Sequence, residues 1–149
     1  MTFSRRRATS IEHIVNIAQS IQQIQSREEV VTDLFYDIFL DRHPEVREFF
    51  VGVNLHHQAV VLRMMLMVIE RHYQQETPVI REYLKVLGHR HEERKIPIAH
   101  YPAFCDCLLD TLGRFHGVDW SKDLERDWRL AIESATAAML QGYSGSAAY

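Results

Sequence analysis

Apolar residues recur every three or four positions along nearly the whole chain, and this pattern leaves little room for anything but helices. Ile11, Ile14, Val15, Ala18, Ile21 and Ile24 form the first series, with Thr9 or Ser10 placed to cap it. The stretch "SREEVVTDLFYDIFLDRHP" carries a second helix, with Ser26 and Glu29 spaced as a capping box and Pro44 at its end. "PEVREFF" reads as one short helical turn. "LHHQAVVLRMMLMVIERHYQQ" is apolar almost all round, which predicts a deeply buried helix, and its Met64, Met65 and Met67 read as soft core filler. "TPVIREYLKVLGHRHEER" opens with Thr77 as cap and Pro78 at the first helical position, and Gly88 weakens it near its end. "IPIAHYPAFCDCLLDTLGRFHG" and, opened by Ser121, "SKDLERDWRLAIESATAAMLQGY" complete the series. Alternating β-branched runs are scarce, and only 6 Gly and 4 Pro interrupt the helical pattern. The expectation is one all-α domain over residues 1–149, although a plain helix bundle fits too. Residues 1–25 form an amino-terminal extension and first helix, and residues 144–149, "SGSAAY", a frayed tail or the cut end of a longer chain.

Charge and cysteine content narrow the function. A net charge of −3 argues against a general nucleic-acid role, and Arg5-Arg6-Arg7 reads as a solvated tail. Cys105 and Cys107 form C-x-C with no second pair, which leaves a zinc ribbon or redox dithiol unsupported. Two free thiols without a signal-peptide pattern point to the cytoplasm. The longest apolar run, near Val60 to Ile69, is broken by Arg63 and is too short to span a bilayer, so no membrane span is expected.

The histidines carry the candidate chemistry. His89 and His91 lie two apart, point to different sides of a helix, and do not make a paired H-x-x-x-H metal site. Taken alone, a histidine at a helix end is a cap or a surface group, and His43, His56, His57, His72, His100 and His116 get the same treatment. His91 differs because it follows Tyr83, Leu84 and Leu87 at i−8, i−7 and i−4, which places its ring on their apolar face. A histidine aimed into an apolar interior needs a partner. A metal ion is one, and an imidazole alone in an apolar slot is how a protein holds haem iron from one side.

Three motifs then stand in order. "FYDIFLDRHPEVREFF", Phe35 to Phe50, resembles the second-helix region of bacterial globins. "QAVVLRMMLMVI", Gln58 to Ile69, resembles their fifth helix. "LGHRHEERKIPIAHYP" resembles their proximal segment, with H-Y-P opening the next helix. Over roughly residues 25–143 the chain is similar to globins of the bacterial haemoglobin and globin-coupled sensor branch. The resemblance implies a three-over-three helical sandwich with haem b in a cleft between that fold's fifth and sixth helices. It implies His91 as the proximal iron ligand with Leu87 beside it, Phe50 packed on the haem face, and Tyr101 behind His91 to set the ring. On the distal side it implies Tyr36, Gln58 and Leu62; a register shift of one residue would put His57 in place of Gln58, where it could bind iron directly. A tyrosine hydroxyl and a glutamine amide are both hydrogen-bond donors, and donors count for more in a dry pocket than in water. Two together imply slow oxygen release.

Such a chain is expected to bind O2, NO and CO. The first functional reading is an oxygen-sensing domain, acting as a homodimer through its last two long helices and regulating a cyclase, kinase or methyl-accepting output. Cys105 and Cys107 lie on one of those helices; they read as buried small hydrophobes, with a bridge between subunits as the alternative. The second reading is a nitric oxide dioxygenase or peroxidase-like enzyme, which needs an electron source outside this chain. The flavohaemoglobin pattern pairs the proximal tyrosine with a late glutamate. Counted from Trp128, that position falls on Tyr143, and Glu133 comes two to three turns too early. The third reading is oxygen storage or delivery. Haem-free relatives are marked by loss of the proximal histidine, and His91 is present.

Overall fold

The computed structural model describes residues 15–144. Among them the chain forms α1 (Ile17–Ser26), α2 (Glu28–Arg42), α3 (Leu55–Gln74), α4 (Pro78–Glu93), α5 (His100–His116) and α6 (Lys122–Leu140), with no strand. A 3-10 segment, Pro44–Phe50, joins α2 to α3, and a shorter one, Gly117–Asp119, joins α5 to α6. Arg5 to Arg7, Thr9, Ser10, Ile11, Ile14 and residues 145–149 lie outside the described residues.

The helix starts follow local chemistry. Asn16 caps α1 in a full box: its side chain accepts from the Gln19 N–H at 2.8 Å, and Gln19 Oε1 accepts from the Asn16 N–H at 3.0 Å. The box expected at Ser26 and Glu29 does not form. Ser26 is still the last residue of α1 and donates its hydroxyl to the Gln23 carbonyl, so Arg27 takes the cap position without a side-chain bond. Asn54, Thr77 and Ser121 cap α3, α4 and α6.

The helices stack in two layers of three, with α1, α3 and α4 over α2, α5 and α6, and the broadest pairings are α4 on α6, α2 on α5 and α3 on α6. This is the three-over-three arrangement that the sequence implied. Phe35, Leu66, Leu84, Leu108, Leu112, Trp128 and Ile132 fill the space between the layers. The expectation of a fully buried α3 is corrected. Leu62, Leu66, Ile69 and His72 face inward, but Met64 is 54% and Met67 38% exposed, because α3 has helices on only one side. Only Met65 of the three methionines turns toward the interior. Tyr83 is likewise about half exposed rather than on the buried face of α4.

Gly88 is not a weak point of α4 but its point of closest contact. A Cβ built there would lie 1.7 Å from the Met139 carbonyl oxygen, and one on Gly142 would lie 1.9 Å from the Lys85 carbonyl oxygen. Backbone therefore meets backbone where α4 crosses the end of α6, which only glycine permits.

At the other end of the molecule a buried polar chain ties α1 to α5 and α6. Trp128 Nε1–H donates to Ser20 Oγ at 3.0 Å, and Ser20 Oγ lies 2.6 Å from His116 Nε2. His116 Nδ1 lies 3.1 Å from Gln23 Oε1. These bonds close with a neutral His116: the Ser20 hydroxyl donates to Nε2, and Nδ1–H donates to Gln23. Burial lowers the His116 pKa below 6.5, with Asp119 acting weakly the other way.

Gly88→Ala is expected to cost about 3 kcal/mol in urea unfolding, because the new methyl group meets carbonyl oxygen rather than a movable side chain. The unfolded chain protonates His116 more readily than the folded one. Its contribution is therefore present above pH 6.5 and lost as pH falls through the lowered folded value. The urea midpoint should fall between pH 7.5 and pH 5, and His116→Asn should shrink that fall. It should not abolish it, because His91 is shifted in the same direction.

Candidate functional site

Between α3 and α4, closed from behind by α2, α5 and α6, lies a cavity of about 300 Å³. Its size lies at the lower end of the range for ligand pockets. Phe35, Phe39, Phe50, Leu62, Met65 and Phe104 give it an apolar, largely aromatic wall. Phe35 is the hub of that wall, edge-on to Tyr36 and Phe104 and stacked on Phe39. The α2 sequence repeats aromatics at Phe35, Tyr36 and Phe39, so one helix face presents a sheet of rings.

His91 reaches the cavity from the last turn of α4. Its Nδ1 lies 2.8 Å from the Leu87 carbonyl oxygen. A carbonyl only accepts, so Nδ1 carries the proton and Nε2 presents a free lone pair. Burial lowers the His91 pKa, with Arg94 adding to the effect, and the ring is held neutral. Metal-bound histidines take this arrangement, with one nitrogen on a backbone carbonyl and the other on the metal.

Tyr101 lies edge-on to His91 with ring centroids 6.2 Å apart, but its hydroxyl points elsewhere. It donates to Tyr143 Oη at 3.2 Å, and Tyr143 donates to the Ile96 carbonyl at 2.8 Å. Tyr101 thus packs against the His91 ring, while the Leu87 carbonyl orients it. Tyr143 stands beside Tyr101, where the spacing from Trp128 puts it.

On the opposite wall Tyr36, Gln58 and Leu62 all line the cavity. The Tyr36 ring is edge-on to Phe50, 5.5 Å between centroids. Burial alone pushes its pKa up to about 12, so the hydroxyl stays protonated and is a donor with no hydrogen-bond partner among the described residues. His57 is exposed and does not line the cavity, whereas Gln58, one residue on, does. Asn54 accepts from the N–H groups of His56 and His57, which fixes the helix start.

Among the lining residues that escaped the sequence reading, two are basic. Arg94, exposed at the rim, donates to the Phe49 carbonyl at 3.2 Å, and His100 lies edge-on to Phe49. Arg94 is three residues past His91, on the same helical side, and that spacing was the available signal. Phe104, Ala135 and Thr136 come from α5 and α6, and only tertiary packing brings them in. Cys105 and Cys107 are buried and line nothing here; burial pushes the Cys105 thiol up to about 11. Neither thiol faces outward to bridge to a second copy.

These residues suit an apolar guest that can offer a metal to His91. The aromatic wall offers apolar contact, the His91 Nε2 lone pair is free to bind a metal, and the exposed Arg94 and half-buried His100 also line the cavity. The site thus defines an all-α protein with an aromatic-walled pocket and one free imidazole nitrogen in it. Residues 33–139, well over half the chain, match the Globin family model, and the chain belongs to the globin family. Its general function is that of the family, binding haem and, at the haem iron, a diatomic gas.

Proposed function

We propose that this chain is a haem b gas-sensor domain of the bacterial globin-coupled sensor branch, with His91 as the proximal iron ligand. The observation that carries the ligand assignment is the His91–Leu87 hydrogen bond, which leaves a neutral imidazole with Nε2 free on an apolar wall. Haem, when bound, supplies the iron at which O2, NO or CO is held. The residues of the chain do the rest. Phe50 and Leu62 shield the cofactor face from water. Tyr36 aims an uncommitted hydroxyl into the distal space, and Gln58 offers an amide donor beside it. Arg94 and His100 take the acidic edge groups.

Sensing is favoured over peroxidase-like chemistry by the proximal side. Tyr101 and Tyr143 pass their hydrogen bonds to a backbone carbonyl, and among the described residues the His91 Nδ1 proton meets the Leu87 carbonyl rather than a carboxylate. The imidazole remains neutral and pushes little electron density onto the iron. Sensing also has a path: displacement of His91 moves α4, which touches α6 backbone to backbone at Gly88 and Gly142. We assign α5 and α6 to a homodimer interface, through which that movement would reach an output. Free thiols at Cys105 and Cys107 fit a cytoplasmic setting. Among the described residues no single helix is long and apolar enough to cross a membrane. Oxygen storage, or NO dioxygenation with a separate reductase, is the runner-up and uses the same pocket.

Absorption spectra of the haem-loaded protein test the ligand. The ferrous and CO-bound bands of the wild type should be lost or strongly altered in His91→Ala, and spectra indifferent to that change reject the assignment. Stopped-flow oxygen release tests the distal side. Tyr36→Phe removes one hydrogen bond of about 1 to 3 kcal/mol and should speed release about tenfold; an unchanged rate would mean Tyr36 does not face the gas.

A further inference from the structure

We infer that the outer face of α4 is a self-association surface, on which a second copy of this chain packs antiparallel with Val86 against Val86. Val79, Tyr83 and Val86 stand at i, i+4 and i+7, so they share one side of the helix. They are 78%, 49% and 43% exposed. Leu84 and Gly88 are buried on the other side, and His91, five residues past Val86, lies about 140° round the helix from it. Helix α4 therefore turns one side to the cavity and the protein interior and the other, with its apolar row, to solvent. Valine is a poor helix former, because its branched side chain loses rotamer freedom against the preceding turn. At an exposed position nothing within one copy offsets that cost. Two valines and a tyrosine in one exposed row form the kind of patch that marks an interaction site.

The charges beside the row select the occupant. Arg81 is paired with Glu76, and Glu93 with His89, both at 3.0 Å. Glu82 and Arg90, both exposed, have no ion pair among the described residues. One lies four residues before Val86 and the other four residues after it. Eight residues along one helix are a rise of about 12 Å, too far for the two to meet. Turned end for end about Val86 on a second copy, the helix brings Glu82 level with the second copy's Arg90, and Arg90 level with the second copy's Glu82. A two-fold axis makes both pairs at once, which is the self-complementarity that a closed dimer requires. A partner of one charge sign would satisfy one of the two residues and repel the other. One helix on one helix is smaller than the standard interface of about 1,600 Å², so the association is weak and depends on concentration. The face is separate from α5 and α6, leaves His91 free, and does not rest on the sensor reading.

The test is sedimentation velocity on the full haem-loaded chain from about 10 μM to about 1 mM, the range of a weak dimer. The variants are Glu82→Arg, Arg90→Glu and the two together. Both sites are exposed, so the fold should survive, and far-UV circular dichroism checks that it does. Each single variant turns two attractions into two repulsions and should weaken association about tenfold or more. The double variant re-forms both pairs with their signs exchanged and should recover it. An equimolar mixture of the two single variants should also associate, since each then meets its complement. Leu130→Asp, on the exposed side of α6, should leave this step in place. Single variants with the mass of the wild type at every concentration overturn the inference. Weakened association that neither the double variant nor the mixture restores also overturns it, since the two residues then do not pair. The haem spectra are read separately, so failure here leaves the assignment of His91 untouched.

Discussion

The close crossing of α4 over the end of α6 is the constraint on which the site depends. Two helix backbones in contact leave no tolerance for sliding, because a carbonyl oxygen cannot rotate away as a side chain can. Gly88 sits one residue past Leu87 and three before His91, so the contact fixes α4 beside the residues that face the cavity. The cavity lies between α4 and α3. The same crossing carries Gly142 and Tyr143 onto α4, so the proximal side is held from within the helix and from the chain that follows α6.

Three buried or half-buried histidines show how differently one residue type is used. His116 has both ring nitrogens engaged, one by Ser20 and one by Gln23, and is a closed structural element. His72 is buried on α3 with Nδ1 unpartnered among the described residues. His91 has one nitrogen on Leu87 and the other free on an apolar wall. Burial alone does not separate these cases. What separates them is which nitrogen is already satisfied and whether the other meets protein or open space.

Much of the fold was legible because helical periodicity and caps are local. Thr77 with Pro78, and Ser121, open helices as their chemistry dictates. The Ser26–Glu29 box failed because Ser26 ended one helix before it could begin the next. The all-round apolar character of α3 misled because exposure depends on how many neighbours a helix has. Its outer face keeps Met64 and Met67 in the open although their composition suits a core. The candidate residues Tyr36, Gln58, Leu62, Leu87, His91 and Tyr101 come from four helices, and the fold gathers all of them with Phe50 around one cavity. The sequence put Gln58 ahead of His57 and left open a one-residue choice of register. It turns on the helix phase that Asn54 establishes by capping α3, which leaves Gln58 inward and His57 in solvent.

Helix content, the order of the elements and the apolar face beneath His91 all follow from interactions within a few residues, which the order of side chains specifies directly. The tautomer of His91 belongs to that class as well, since its partner is one turn away on the same helix. The role of Gly88, the arrival of Arg94 and His100 at the rim, and the chain from Tyr101 through Tyr143 to Ile96 belong to another. Each joins segments far apart in sequence, and each exists because helix packing sets distances to within an ångström. No local pattern encodes such a distance.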